Sequence, residues 1–219
     1  MAKTTTHADA VLNVMRGTTL TAFTPHFGLI EAVTDLEAGT VTESSYTSYA
    51  RQVGGFNAPG AGQNGRQVTN DAQETFPAID AAEGPITVIM IGIWDALTVG
   101  NLRYAVPANP SNENVIGLVN DSDLAGNTIQ SANHGFANDD RILVKALAGA
   151  AVPAGLSLNT LYFVVGAAED TFQLSTSSGG AAVDLTAAGA ARCEKVTPVV
   201  FNDNDEPRIN SATLQLAEL

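Results

Sequence analysis

One cysteine, Cys193, stands among 219 residues, so no intrachain disulfide can staple this chain. The three histidines, His7, His26 and His134, are scattered, and no Cys/His spacing matches a zinc site. Positive charge is scarce. Ten Lys+Arg face 23 Asp+Glu for a net charge of -13, and the acidic excess runs from one end to the other. That field repels polyphosphates and anionic bilayers, which excludes nucleic acid as a partner. Long apolar runs are missing too. The longest, Ile86 to Trp94, is about half a membrane span, and the first residues alternate polar with apolar, with no signal-peptide core. The expectation is a soluble protein made in a cytoplasm, without membrane insertion, metal or cofactor.

What remains is rich in Ala, Thr, Gly, Ser and Asn, with only 15% charged residues, a composition that favours turn-rich β-structure. The pattern predicts an all-β fold: a β-sandwich with one short N-terminal helix, interrupted by an inserted small β-domain. The helix is expected from about His7 to Arg16. Thr6 to Asp9 would cap it, Val11, Leu12 and Met15 would form its apolar face, and Gly17 would stop it. Strands are expected at Leu20–Phe23, His26–Ala32, Tyr46–Phe56, Gln73–Phe76, Ile86–Asp95 and Leu102–Val106. Ile86–Trp94 is apolar on both faces, as a central covered strand would be. Asp95–Asn101 reads as a hairpin turn, and Gly54–Asn70 as a long loop without periodicity.

Periodicity is lost again over Pro107–Asp123 and resumes at Thr128. From His134 to Asp184, short apolar runs such as Leu161–Val165 and Thr171–Ser175 alternate with turns, as in a small β-module. After Cys193 come Val196–Phe201, a polar turn at Asn202–Pro207, and a last alternation of Ile209, Leu214 and Leu216. Such short strands cannot form a domain and must join an earlier sheet. The expected division is therefore 1–119 plus 197–219 for the sandwich and 120–196 for the insertion.

No constellation for chemistry emerges, and no catalytic, cofactor or metal residue is assigned. His134 before Gly135 and Phe136 reads as a structural hydrogen bonder, and Cys193 as inert core. Asn202–Glu206 lacks the glycine and the later glutamate of a calcium loop, so it reads as a solvated turn. Asn138–Asp140 reads as an Asx-type turn. Asp80, Glu83 and Asp95 are the nominees for a glycosidase pair, but all lie at turn signals. Gly54, Gly55, Gly60 and Gly62 lack the lysine and helix of a phosphate cradle. Trp94, Tyr49, Tyr104 and Phe76 would stack on sugars if exposed, yet Trp94 ends an apolar run and belongs in a core.

Several elements, in order and spacing, resemble a family of tailed-bacteriophage virion proteins of the tail-fibre-like or minor structural type. They are Leu12-Asn-Val-Met-Arg-Gly17, Phe27-Gly-Leu-Ile30, Glu43, Tyr49-Ala-Arg-Gln-Val53, Asn70, Thr75-Phe-Pro77, Gly92-Ile-Trp-Asp-Ala96 and Gly100-Asn-Leu-Arg-Tyr-Ala105. The middle segment is similar to a small phage-type β-module, with His134-Gly-Phe136 and Thr171-Phe-Gln-Leu-Ser175. The resemblance implies a non-enzymatic virion component, exposed on the particle and made in the bacterial host. Its partners would be other virion proteins, either the major capsid protein or tail proteins. A homo-oligomer is expected, a trimer being one form, and a host-surface glycan is a candidate ligand. The lack of a long repetitive shaft leans toward capsid-surface decoration, in which the sandwich docks and the insertion is displayed. A tail-fibre or receptor-binding component is the alternative, and a carbohydrate-binding or glycan-degrading module is the second.

Overall fold

The computed structural model describes residues 2–62, 65–211 and 213–218. Two units form, one from Met1–Ala108 with Pro198–Leu219 and the other from Asn109–Thr197. In the first, β1 (Ala2–Lys3) leads into α1 (Thr5–Val14), followed by β2 (His26–Asp35), β3 (Thr40–Glu43) and β4 (Gln52–Val53). Next come β5 (Gly60–Gly62), β6 (Gly65–Thr69), β7 (Glu74–Thr75), β8 (Ile86–Val88), β9 (Met90–Trp94) and β10 (Leu102–Pro107). The main sheet runs β1-β10-β9-β2-β3, with β4 also on β2, and every pairing is antiparallel. Side chains alternate between its faces. Phe27, Leu29, Ile91, Ile93 and Val106 point into one core with Tyr46, Phe76, Ile79, Ile86 and Val88.

The second unit comprises β11 (Pro110–Val119), a 3-10 turn over Asp121–Gly126, β12 (Ile129–Gln130), β13 (Arg141–Lys145), β14 (Thr160–Val165), β15 (Thr171–Ser175) and β16 (Gly189–Val196). These six strands close into a barrel in the order β11-β12-β15-β14-β13-β16. Alternate residues fill it, with Ile142, Val144, Tyr162, Val164, Phe172, Leu174, Ala191 and Cys193 in one cluster. Gly117 faces inward, and a Cβ there would lie 2.6 Å from Ile129. Burial pushes the Cys193 thiol up to about 12, which keeps it protonated and inert. β11 supplies ten residues that the sequence reading gives to the sandwich. Its first half, Pro-Ser-Asn-Glu-Asn, carries no apolar alternation, and its place in the barrel is fixed by backbone pairing with β16.

The chain then returns to the first unit. β17 (Val199–Phe201) pairs with β8, β18 (Arg208–Ile209) with β7, and β19 (Gln215–Glu218) with β6, so Ile209 and Leu214 complete the first core. The layer over the main sheet is therefore a set of short pairings, not a second continuous sheet. The run Ile86–Trp94 is divided at Ile89, whose N–H donates to Ile30 O at 2.8 Å and whose carbonyl accepts from Ala108 N at 3.0 Å. One apolar run thus serves two sheets, which its hydrophobicity alone cannot signal. The expected loop at 54–70 contains β5 and β6, paired to each other and, through β6, to β19. Leu20–Phe23 forms no strand, and within Tyr46–Phe56 only Gln52–Val53 does.

Candidate functional site

Gly28 on β2 lies opposite Gly92 on β9. A Cβ at Gly92 would lie 2.2 Å from the Trp94 ring, and one at Gly28 would lie 2.7 Å from Trp94, Glu43 and the Tyr49 hydroxyl. The two glycines are therefore the floor on which Trp94 lies, 4% exposed. Arg51 stacks on it, with the guanidinium carbon 4.2 Å from the ring centroid. Arg51 Nε and Nη2 donate to the two oxygens of Glu43 at 2.8 and 2.7 Å, a two-pronged bond. The Tyr49 hydroxyl donates to Glu43 Oε1 at 2.6 Å and accepts from Leu29 N–H at 3.0 Å. That second bond fills the stretch of β2 edge between its pairing with β3, which starts at Ile30, and with β4, which ends at Phe27. Burial, reinforced by the Glu43 carboxylate, raises the Tyr49 phenol far above its ordinary range.

The same arginine holds the next hairpin. Arg51 Nη1 donates to Ala96 O at 2.8 Å and Thr98 O at 2.7 Å. On the other side Asp95 accepts from Asn101 N at 2.7 Å, from the Asn101 amide at 3.2 Å, and from Arg103 Nε and Nη2 at 2.9 and 2.5 Å. Partial burial opposes ionisation of Asp95, but these bonds outweigh it and hold its carboxyl below the usual range. The β9–β10 hairpin is thus fixed from both sides, and it carries Leu97 and Val99 at 49% and 93% exposure.

α1 begins two residues earlier than the sequence suggests. Thr4, not Thr6, is the cap: its Oγ1 accepts from His7 N and donates to Leu102 O at 2.9 Å, tying the helix start to β10. Gly17, at φ +85°, follows as the expected stop. His7 is the buried helix residue, with Nε2 2.6 Å from the Tyr104 hydroxyl. The expected inward face does not pack, since Leu12 and Met15 are exposed, as are Val14 and Leu20. The reason is positional: the side-chain bonds that tie the helix to β10 come from its start, through Thr4 and His7. Between α1 and the following coil lies a cleft of about 280 Å³, with His7, Ala10, Asn13, Leu20, Phe23 and Arg103 among its walls.

The nominated carboxylates are not brought together as a pair. Asp80 and Glu83 bind Ser48 and Thr47, each taking a backbone N–H and a hydroxyl, while Asp95 clamps the hairpin. His134 is buried, its Nδ1 accepting from Phe136 N at 2.9 Å and its Nε2 3.3 Å from Thr171 O. Asp140 accepts from Ala137 N at 2.8 Å, three residues before it, so the 137–140 turn is closed by a backward bond and not by the forward bond of the expected Asx-type turn, and Asp140 also binds Lys195. In the Asn202–Glu206 turn, Asp205 accepts from Asn202 N and Asp203 from Gly84 N. Of the four aromatics, Phe76 and Trp94 are buried, while Tyr49 and Tyr104 are partly buried. The residues missed at the sequence level are Leu97 and Val99. Their signal is two aliphatics within a seven-residue turn bracketed by Asp95 and Gly100-Asn101.

The ionisable groups named above brace loops, and exposed apolar side chains stand on α1 and the β9–β10 hairpin as well as at Val53, Ile116, Leu118 and Val200. The particular family is given by the chain itself. Residues 2–123 match the family of the podophage GP4 fiber I protein gp80, and the chain belongs to that family. It is a phage virion structural protein. No curated protein matches it.

Proposed function

We propose that the chain is a structural component of a phage tail fibre. The first unit docks onto other virion proteins through the aliphatic face of α1, and the barrel is the element it carries for display. The observation that supports this is the span of the family match, 2–123, which takes in the whole first segment of the docking unit and ends shortly after β11. Capsid decoration, toward which the sequence leans, gains no specific support from a fibre family. Among the described residues no aromatic side chain is in the exposed class, which favours protein contacts over sugar stacking.

The barrel behaves as a tolerated insertion because its ends meet. Pro110 pairs with Val196, and Thr197 N lies 3.4 Å from Asn109 O, so the host sees a loop tip. Replacing 110–196 with two glycines should leave a first unit that unfolds cooperatively and still enters particles, while adsorption to host cells is lost. Calorimetry of the shortened chain and immunoblots of purified virions check this. An insoluble or unfolded remainder contradicts the insertion reading, and particles that lack the shortened chain contradict docking by the first unit.

A further inference from the structure

The cleft beside α1 is lined by hydrogen-bond donors and by no carboxylate. Its polar members are His7, Asn13, Thr18, Thr19, Thr21 and Arg103, in a chain that carries 23 Asp and Glu. We propose that this cleft is a carboxylate-binding site whose ligand is an acidic side chain or chain terminus of a partner polypeptide. The choice of a polypeptide rests on the docking reading above, whereas the chemistry of the site stands apart from it.

Arg103 is the anchor. Its Nε and Nη2 both donate to Asp95 Oδ2, at 2.9 and 2.5 Å, so one edge of the guanidinium is occupied by the hairpin. Nη1 donates to no protein atom among the described residues, and the side chain is 18% exposed. A guanidinium presents five N–H donors in a planar fork, and the edge that Asp95 leaves open can hold a second carboxylate. Asp95 and the Phe23 ring, whose centroid lies 5.7 Å from the guanidinium carbon, already hold the group in place, so binding costs little further ordering. Asn13 supplies the next donors. Its Oδ1 accepts from Arg16 Nη1 at 3.2 Å, which leaves the two N–H of Nδ2 for a ligand.

Size and charge narrow the ligand. At about 280 Å³ the cleft falls just below the roughly 300–1,000 Å³ usual for drug-sized ligands, which gives room for one acidic side chain with its stem over Ala10 and Phe23. A phosphate fits less well, because a dianion would meet a single guanidinium that already faces Asp95, in a chain of net charge -13. An acidic sugar lacks a stacking platform, since Phe23 is only partly exposed. Leu20, a wall residue at 45% exposure, offers an aliphatic stem its contact instead.

NMR titration of the nitrogen-labelled full-length chain with isocaproate, isocaproamide and glucuronate tests this. Isocaproate should saturate with a Kd on the order of 1–10 mM and move the resonances of Asn13, Thr19 and Arg103. Isocaproamide, of the same shape without the charge, should bind at least about fivefold more weakly, and glucuronate no more tightly than isocaproate. Arg103→Lys keeps the charge but loses the fork, and should weaken isocaproate binding by about tenfold. Asn13→Leu, on the helix and away from the hairpin, should weaken it by about threefold and reads the site even where Arg103→Lys loosens the hairpin. Unchanged emission from Trp94, the one tryptophan, would show that the variants are folded. A titration that does not saturate, an amide that binds as tightly as the acid, or full affinity in both variants would each overturn the site. Tighter binding of glucuronate would overturn the polypeptide as ligand. The virion immunoblots read docking separately: a shortened chain that enters particles without any isocaproate site overturns this inference alone, and a saturable site on a chain that particles lack overturns docking alone.

Discussion

Asn70→Ala should lower the melting temperature of the first unit by roughly 10 °C, an effect out of proportion to the size of the side chain. Asn70 is fully buried. Its Nδ2 donates to Ala72 O and Asn210 O, both at 2.8 Å, and its Oδ1 accepts from Leu214 N at 2.9 Å. One amide thus joins the segment before β7 to the C-terminal return that carries β18 and β19. Truncation leaves one donor and two carbonyls without this partner, at about 1–3 kcal/mol for each group left unsatisfied. A loss of about 3 kcal/mol corresponds to that shift for a unit of this size. Asn70→Asp keeps the acceptor for Leu214 but turns a carboxylate toward two carbonyls, so it should be at least as damaging. Trp94 makes the measurement specific, because it is the one tryptophan and its emission follows the first unit. Asn57→Ala, on the exposed neighbour, should stay within about 0.5 kcal/mol of wild type. A melting shift of only a degree or two for Asn70→Ala would refute the hub role.

The second large effect is expected at Arg51. Arg51→Met keeps the aliphatic stem over Trp94 but removes the two-pronged bond to Glu43 and both bonds to the hairpin. With side chains 11% and 22% exposed, the pair is buried enough that stranding Glu43 should cost about 2–3 kcal/mol. The hairpin should respond locally. Amide exchange over 95–101 should quicken more than exchange in β2 or β9. Glu43→Gln alone should cost less, and the double variant less than the sum of the two, since Glu43 has no charge left to strand. Strict additivity, or unchanged exchange in the hairpin, would show that Arg51 does not hold this corner.

These two residues also show how far the sequence could be read. Asn70 and Tyr49-Ala-Arg51 stood among the elements that carried the family resemblance, yet their work depends on contacts 140 and 45 residues away. Composition and alternation sufficed for the all-β class, the helix near the N-terminus and the Asp95–Asn101 hairpin, because each is written in local pattern. They failed where pairing is carried by backbone alone, as in β5 and β6 against β19, or by the polar first half of β11. The direction of the α1 face was illegible for another reason. Periodicity shows that Val11, Leu12 and Met15 share a side, but nothing local tells whether anything covers that side. Trp94 was the opposite case: an aromatic at the end of an apolar run belongs in a core, and there it lies.

Imaging of intact virions tests the assignment to a fibre most directly. An epitope inserted after Gly149, at an exposed turn where a Cβ would meet nothing within 4 Å, leaves the barrel strands intact and can be decorated with gold-labelled antibody. Gold confined to the tail fibres, in few copies per particle, is the expected result. Gold spread in many copies over the head would contradict it and return the chain to capsid decoration.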